Sequence, residues 1–165
     1  MADEEKTISH VGAEGRPSMV DVTAKHESLR IASALARVRF PGEAYRQLES
    51  AGFQTAKGPV LNTAIVAGTM AAKRAHELIP FCHPLGLERC EIKIEPDGAN
   101  ALLVRCTTAV HHRTGVEMEA LTGAAIAALT VYDMCKSLSH GIVIEETRLV
   151  AKSGGKGEYH ADRPA

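Results

Sequence analysis

The spacing of apolar and polar positions changes period along the chain, and each change marks an element. Glu91-Ile92-Lys93-Ile94-Glu95 alternates strictly, which predicts a half-buried strand over Glu88–Glu95. Pro96-Asp97-Gly98 reads as a turn, and Ala101–Val110 as the returning strand of a hairpin. Ile142–Lys152 reads as a final strand. In His26–Phe40 the residues Leu29, Ile31 and Leu35 fit one face at period two; the segment is taken as a strand, although its alanine content also suits a helix. Met19–Thr23 alternates too and reads as a short extended segment.

Elsewhere the period is helical. Pro41–Ala51 starts with a helix-compatible proline and stops before Gly52. Asn62–Leu78 places Ile65, Val66, Met70 and Leu78 at core spacing, with Lys73, Arg74 and His76 towards its end and Pro80 opposing continuation. The longest helix is expected over Thr114–Gly141. Thr114 with Glu117 forms the pattern of a capping box, Glu117 and Glu119 suit the positive end of the dipole, and Lys136, His140 and Gly141 mark its end.

Asp133 goes against that pattern, since it puts a carboxylate near the negative end of the same dipole. A local inconsistency in a consistent element is where function is expected. Asp133 and Lys136, three apart, share a helix face, and Glu119 lies within roughly 40° of the same stripe four turns earlier. From this stretch alone an exposed i,i+3 ion pair explains Asp133 and Lys136 as well as catalysis does.

The element order is strand, helices, strand, strand, helix, strand. This βαββαβ order predicts an α+β, ferredoxin-like sandwich: an antiparallel sheet with helices on one face. The other sheet face is expected to be apolar and to need a cover, most simply a second subunit. At 165 residues the chain is one domain, with residues 1–18 and 153–165 read as flexible terminal segments.

Composition narrows the chemistry. A formal charge of -1 and only three Phe and three Tyr disfavour a nucleic-acid surface. No run is long enough to span a membrane, and no signal peptide is seen at the start. Cys82, Cys90, Cys106 and Cys135 lack chelating spacing, so they read as packing residues in a reduced, cytoplasmic protein rather than metal ligands. The adjacent His111 and His112 point to opposite faces and make a poor chelate. The remaining candidates are Lys57, Lys73, His83, Glu117, Glu119, Asp133, Lys136, Lys152 and Lys156. Several lysines, one histidine and several carboxylates suit a polyanionic, nitrogen-rich substrate and proton transfer without a metal or redox cofactor. Glu117 has a full structural explanation as the capping-box partner, and Gly154-Gly155-Lys156-Gly157 lacks the spacing of a P-loop.

Two long segments, KGPVLNTAIVAGTMAAKRAHELIPFCHPL (Lys57–Leu85) and TGVEMEALTGAAIAALTVYDMCK (Thr114–Lys136), closely resemble the MoaC family, the C protein of molybdenum-cofactor biosynthesis. So do SHVGAEGRPSMVDVTAK near the start and RLVAKSGGKG near the end. The resemblance implies a ferredoxin-like, pyrophosphate-releasing lyase. Its substrate would be 3′,8-cyclo-7,8-dihydroguanosine triphosphate and its product cyclic pyranopterin monophosphate. It implies a homohexamer, a trimer of dimers, with active sites at subunit interfaces, where Lys57 or His83 of one chain approaches Asp133 of another. The family's catalytic positions match Asp133, Lys136 and Lys57. Substrate contacts match Phe81, Cys82, His83, Met118 and Glu119, with Lys152 as the lysine before Gly-Gly-Lys. Glu117, Lys73 and Lys156 join them as binding candidates. No cofactor is implied, and whether Mg²⁺ accompanies the triphosphate stays open. Pro59, Phe81, His111 and His112 depart from the family pattern. A nucleotide-binding regulatory domain of the same fold is the alternative, and turnover separates the two.

Overall fold

The computed structural model describes residues 16–98 and 100–161. Its long strands are β1 (Ser28–Arg39), β4 (Arg89–Pro96), β5 (Ala101–His112) and β6 (Val143–Ser153). Two residues of the C-terminal tail, β7 (Tyr159–His160), pair with β6 as a short edge. The sheet order is β4-β5-β1-β6-β7 with every neighbouring pair antiparallel. The four long strands thus stand in ferredoxin-like order, as the element order predicts. A two-stranded ribbon, β2 (Gln54–Thr55) with β3 (Gly58–Pro59), follows α1 (Gly42–Ser50). The segment Met19–Thr23 forms no strand.

Helices α2 (Val60–Ala72) and α4 (Glu117–Cys135) cover one sheet face. That face is made from alternate residues: Ala32, Ala34, Ala36 and Val38 of β1, and Leu102, Val104, Cys106, Thr108 and Val110 of β5 are all buried. The small residues of β1, rather than Leu29, Ile31 and Leu35, therefore form its helix-facing side.

The inner face of α2 departs from expectation in the same way. Val60, Ala64, Gly68 and Ala72 are buried, whereas Val66 is 63% exposed and Met70 and Leu78 also face outward. Close approach decides this. A Cβ at Gly68 would lie 2.6 Å from Gly123 O and 2.9 Å from Ala127 Cβ, so α2 and α4 touch nearly backbone to backbone. Only small residues fit that seam, and the larger apolar ones turn out. The helical segment also breaks after Ala72 and resumes as the single turn α3 (Ala75–Leu78).

The uncovered sheet face is not apolar. Arg37 pairs with Asp97 at 2.6 Å and with Glu145, Arg39 with Glu145, Arg89 with Glu91 at 2.6 Å, and Arg148 with Glu146 at 3.1 Å. Leu35, Ala101 and Ala109 are buried apolar residues among these charges. Large exposed apolar side chains occur on the helices, including Val66, Met70 and Leu129, as well as at strand ends such as Leu29 and Val143.

Antiparallel pairing also places the site. β1 registers with β5 from Ser28↔His112, and Ile31 with Ser153 of β6. The start of β1, the end of β5 and the end of β6 therefore meet at one edge of the sheet, beside the N-terminus of α4.

Candidate active site

The sequence-level candidates fall into two clusters at opposite ends of α4. At its C-terminal end Asp133 Oδ2 accepts a bond from Lys57 Nζ at 2.7 Å, and Oδ1 lies 2.8 Å from Lys136 Nζ. Lys57 reaches there from the β2–β3 turn, and its Nζ also donates to the Asp133 carbonyl at 3.0 Å. Each carboxylate oxygen thus holds one ammonium, and one ammonium also covers a carbonyl of the last helical turn. That is how the unfavourable placement of Asp133 on the dipole is offset. Lys136, then Lys57, hold the Asp133 carboxyl down at about 2, and Asp133 raises the Lys136 ammonium above its usual range. The cluster is about half exposed, Asp133 at 52%. Asp133 is thus an anion at neutral pH, and it holds the Lys136 proton more tightly than a lone lysine would.

The expected helix start is corrected by the structure. α4 begins at Glu117, with Val116 as N-cap and no side-chain cap bond. It ends at Cys135, with Lys136 as C-cap, well before Gly141. Glu117 is therefore no capping-box partner. Its Oε1 lies 2.8 Å from Lys152 Nζ, across from the end of β6. A Cβ at residue 115 would overlap the Glu117 carboxylate, so Gly115 makes room for it.

At this end of α4 lie two cavities that share Lys25, Thr114, Gly115, Glu117 and Lys152. One, of about 290 Å³, is lined by cations, including Arg30, Arg113, Lys152 and Lys156. The other, of about 430 Å³, is lined by Phe81, Cys82, His83, Met118 and Glu119. Glu119 is only 3% exposed. Cys82 Sγ donates to its Oε1 at 3.4 Å, while Oε2 has no hydrogen-bond partner among the described residues. Burial first, and then the neighbouring Glu117 charge, push the Glu119 carboxyl above the usual range. Burial pushes the Cys82 thiol up to about 12, with the Glu119 carboxyl adding to it. His83 Nε2 lies 2.9 Å from the Val20 carbonyl, and Arg113 Nη1 donates to the Thr23 carbonyl at 3.2 Å, so the stretch before β1 is tied across the cavities.

The structure gathers Phe81, Cys82, His83, Glu117, Met118, Glu119, Lys152 and Lys156 at one end and Lys57, Asp133 and Lys136 at the other. Lys73 belongs to neither; it caps α2 in solvent and acts on Cys90. Asp133 and Glu119 do not work on one open stripe, since Glu119 turns into a buried cavity. Fourteen residues separate them, about 21 Å along the helix. Sequence reading missed Lys25, His26, Arg30 and Arg113 as cavity residues. Lys25, His26 and Arg30, close together in sequence, were the available signal, obscured because the segment reads simply as the start of a strand.

Among the described residues no group of three or more His, Cys, Asp or Glu is placed to hold a metal ion. None of their helices is long and apolar enough to cross a membrane.

Residues 19–155 match the family model described as the MoaC family. The chain is 54% identical over 154 residues to a cyclic pyranopterin monophosphate synthase of Xanthomonas oryzae pv. oryzae, covering 93% of each chain. It is 48% identical over 165 residues to the synthase of Bordetella avium, covering 98% of this chain and all of that one. It is also 43% identical to molybdenum cofactor biosynthesis protein 1 of Dictyostelium discoideum, covering 93% of this chain and 27% of that protein. Extended over nearly the whole chain, this likeness makes the chain a member of the MoaC family.

Proposed function

We propose that this protein acts in molybdenum-cofactor biosynthesis as a cyclic pyranopterin monophosphate synthase. It converts 3′,8-cyclo-7,8-dihydroguanosine triphosphate to cyclic pyranopterin monophosphate and pyrophosphate. The observation that carries this reading is the pair of joined cavities on a chain similar end to end to such synthases. One cavity is lined by lysine and arginine and suits a triphosphate; the other offers a buried carboxyl, a histidine and apolar walls, and suits the base and sugar.

The chemistry is a rearrangement with loss of pyrophosphate and no net oxidation, so acids, bases and cations suffice. Cations of the first cavity neutralise the triphosphate and align its α-phosphate for attack by a ribose-derived hydroxyl, with pyrophosphate leaving. Glu119 and His83 hold the base or the sugar–phosphate. Lys57 and Lys136, oriented by Asp133, supply protons as the purine five-membered ring opens and the pyrazine ring closes. No resident metal or redox group takes part, and any Mg²⁺ enters as the counter-ion of the triphosphate.

The same geometry favours a site shared between subunits. The two clusters stand about 21 Å apart along α4, which supports a site in which Asp133 of one chain meets a substrate held at Glu119 of another. A homohexamer built as a trimer of dimers supplies the Lys57–Asp133–Lys136 cluster of one subunit to the cavities of another. The exposed Val66, Met70 and Leu129 are apolar surface available for such packing. Lys57 belongs with Asp133 of its own chain, so the cross-subunit approach involves the cavity containing His83. The working compartment is the cytoplasm. Incubating purified protein with the cyclised GTP derivative and measuring pyrophosphate and pterin tests the reading. Tight binding without pyrophosphate release would leave a nucleotide-binding regulatory domain instead.

A further inference from the structure

Arg30 is 9% exposed, and its guanidinium joins three segments far apart in sequence. Its Nε donates to the His112 carbonyl at 3.0 Å and its Nη2 to the Arg113 carbonyl at 3.4 Å, where β5 gives way to α4. Over it closes the turn after β6. Gly154 and Gly155 have φ of +82° and +84°, a conformation that side-chain-bearing residues rarely adopt. A Cβ at 154 would overlap the Leu29 carbonyl oxygen, and one at 155 would overlap Arg30 Nη1. The turn backbone therefore lies directly against the guanidinium, and only glycine permits the approach.

We propose that Arg30 is the positioning residue of the cation-lined cavity and that Gly155 is the position that lets it act. The segments it ties together carry the lining side chains Arg113, Thr114, Glu117, Lys152 and Lys156. Holding two carbonyls and a glycine turn at once needs the planar, multi-donor fork of arginine. A lysine ammonium keeps the charge but cannot span the three segments. Gly-Gly-Lys is then not a phosphate loop in its own right. Its glycines serve Arg30, and its lysine is delivered to the cavity as a consequence. This inference rests on the reading of the cavity as the polyphosphate site.

The test uses the full chain with Arg30→Lys, Gly155→Ala and the double variant. Three quantities are read: KM and kcat for the cyclised GTP derivative, calorimetric binding of inorganic tripolyphosphate, and amide exchange over 112–116 and 152–157. Each single variant is expected to raise KM and the tripolyphosphate Kd by roughly tenfold or more, with kcat per folded enzyme within about threefold. Exchange should quicken in both segments whichever residue is changed, and the double variant should be little worse than either single. A purely structural arginine predicts otherwise: lower thermal stability with KM and Kd unchanged in the folded fraction. Unchanged affinity in both variants, additive effects, quickening confined to the mutated segment, or a wild-type cavity that binds no tripolyphosphate overturns the proposal. If Arg30→Lys does not fold, Gly155→Ala decides by the same readouts. Wild-type protein that binds tripolyphosphate but does not release pyrophosphate sinks the enzymatic reading, and the inference is then judged on Kd and exchange alone.

Discussion

Lys57 Nζ lies 2.7 Å from Asp133 Oδ2, joining a turn between two-residue strands to the last turn of a helix 76 positions later. With Lys136 on the other oxygen, this contact converts a helix-end liability into a cluster with one orientation. Asp133→Asn should therefore keep the fold, leave the thermal midpoint nearly unchanged because the cluster is exposed, and lower pyrophosphate release by roughly 10²–10⁴-fold. Lys57→Ala and Lys136→Ala combined should be little worse than either alone if the three act as a unit. A folded Asp133→Asn protein with near-normal turnover would end the assignment.

The two acidic groups of α4 have opposite pH signatures. The depressed Asp133 value means that its ion pairs contribute stability above the unfolded carboxylate value of about 3.9 and lose it as pH falls through about 2. Glu119, raised by burial, behaves in reverse: its contribution is full below the unfolded value of about 4.3 and is lost as pH rises through its higher folded value. Glu119→Gln should therefore raise the thermal midpoint at pH 8 and have little effect at pH 4. A midpoint that falls equally at both pH values would contradict this.

A site divided between subunits can be rebuilt from two broken ones. Mixing Asp133→Asn chains with Lys152→Ala chains at equal amounts, after dissociation and reassembly, should restore about a quarter of wild-type activity, because each half-site is intact half the time. Activity no greater than the sum of the two parents would place both clusters in one chain's site.

The four cysteines, alike in sequence, should separate on alkylation. The Cys90 thiol is drawn down to about 7 by a hydrogen bond from Cys106, with Thr69 and Lys73 assisting. Burial pushes Cys82 and Cys135 up to about 12 and about 11, and the bond to Cys90, then burial, pushes Cys106 up as well. Iodoacetamide at pH 7.5 should label Cys90 first, read by peptide mass spectrometry, and the labelled protein should retain turnover. First labelling at Cys82 would reverse this ordering.

The α2–α4 seam gives a test of the fold. Gly68→Ala and Gly123→Ala each gain helix propensity yet meet backbone, an isoleucine or a cysteine sulfur at 2.6 Å. Overpacking should win, costing roughly 1–3 kcal/mol against about 1 kcal/mol of propensity. A raised denaturation midpoint in either variant would show that the helices can separate freely.

Local information determined much of this protein. The alternation at Glu91–Glu95, the Pro-Asp-Gly turn and the long alanine-rich helix are short-range patterns, and they were sufficient for the order of strands and helices and so for the ferredoxin-like class. Asp133 and Lys136 were legible as a pair because three residues on a helix are neighbours by geometry. What only tertiary structure decided was which face is inside and which distant groups meet. Size would bury Val66 and Met70, but the close approach of α2 to α4 admits only Ala64, Gly68 and Ala72. Glu117 fits a capping box by spacing, but α4 starts three residues later than Thr114, and the carboxylate finds Lys152 across the sheet edge instead. The contacts of Lys57 with Asp133, and of Arg30 with the ends of β5 and β6, span 76 residues or more. No local propensity encodes such contacts; strand register and helix packing bring them about.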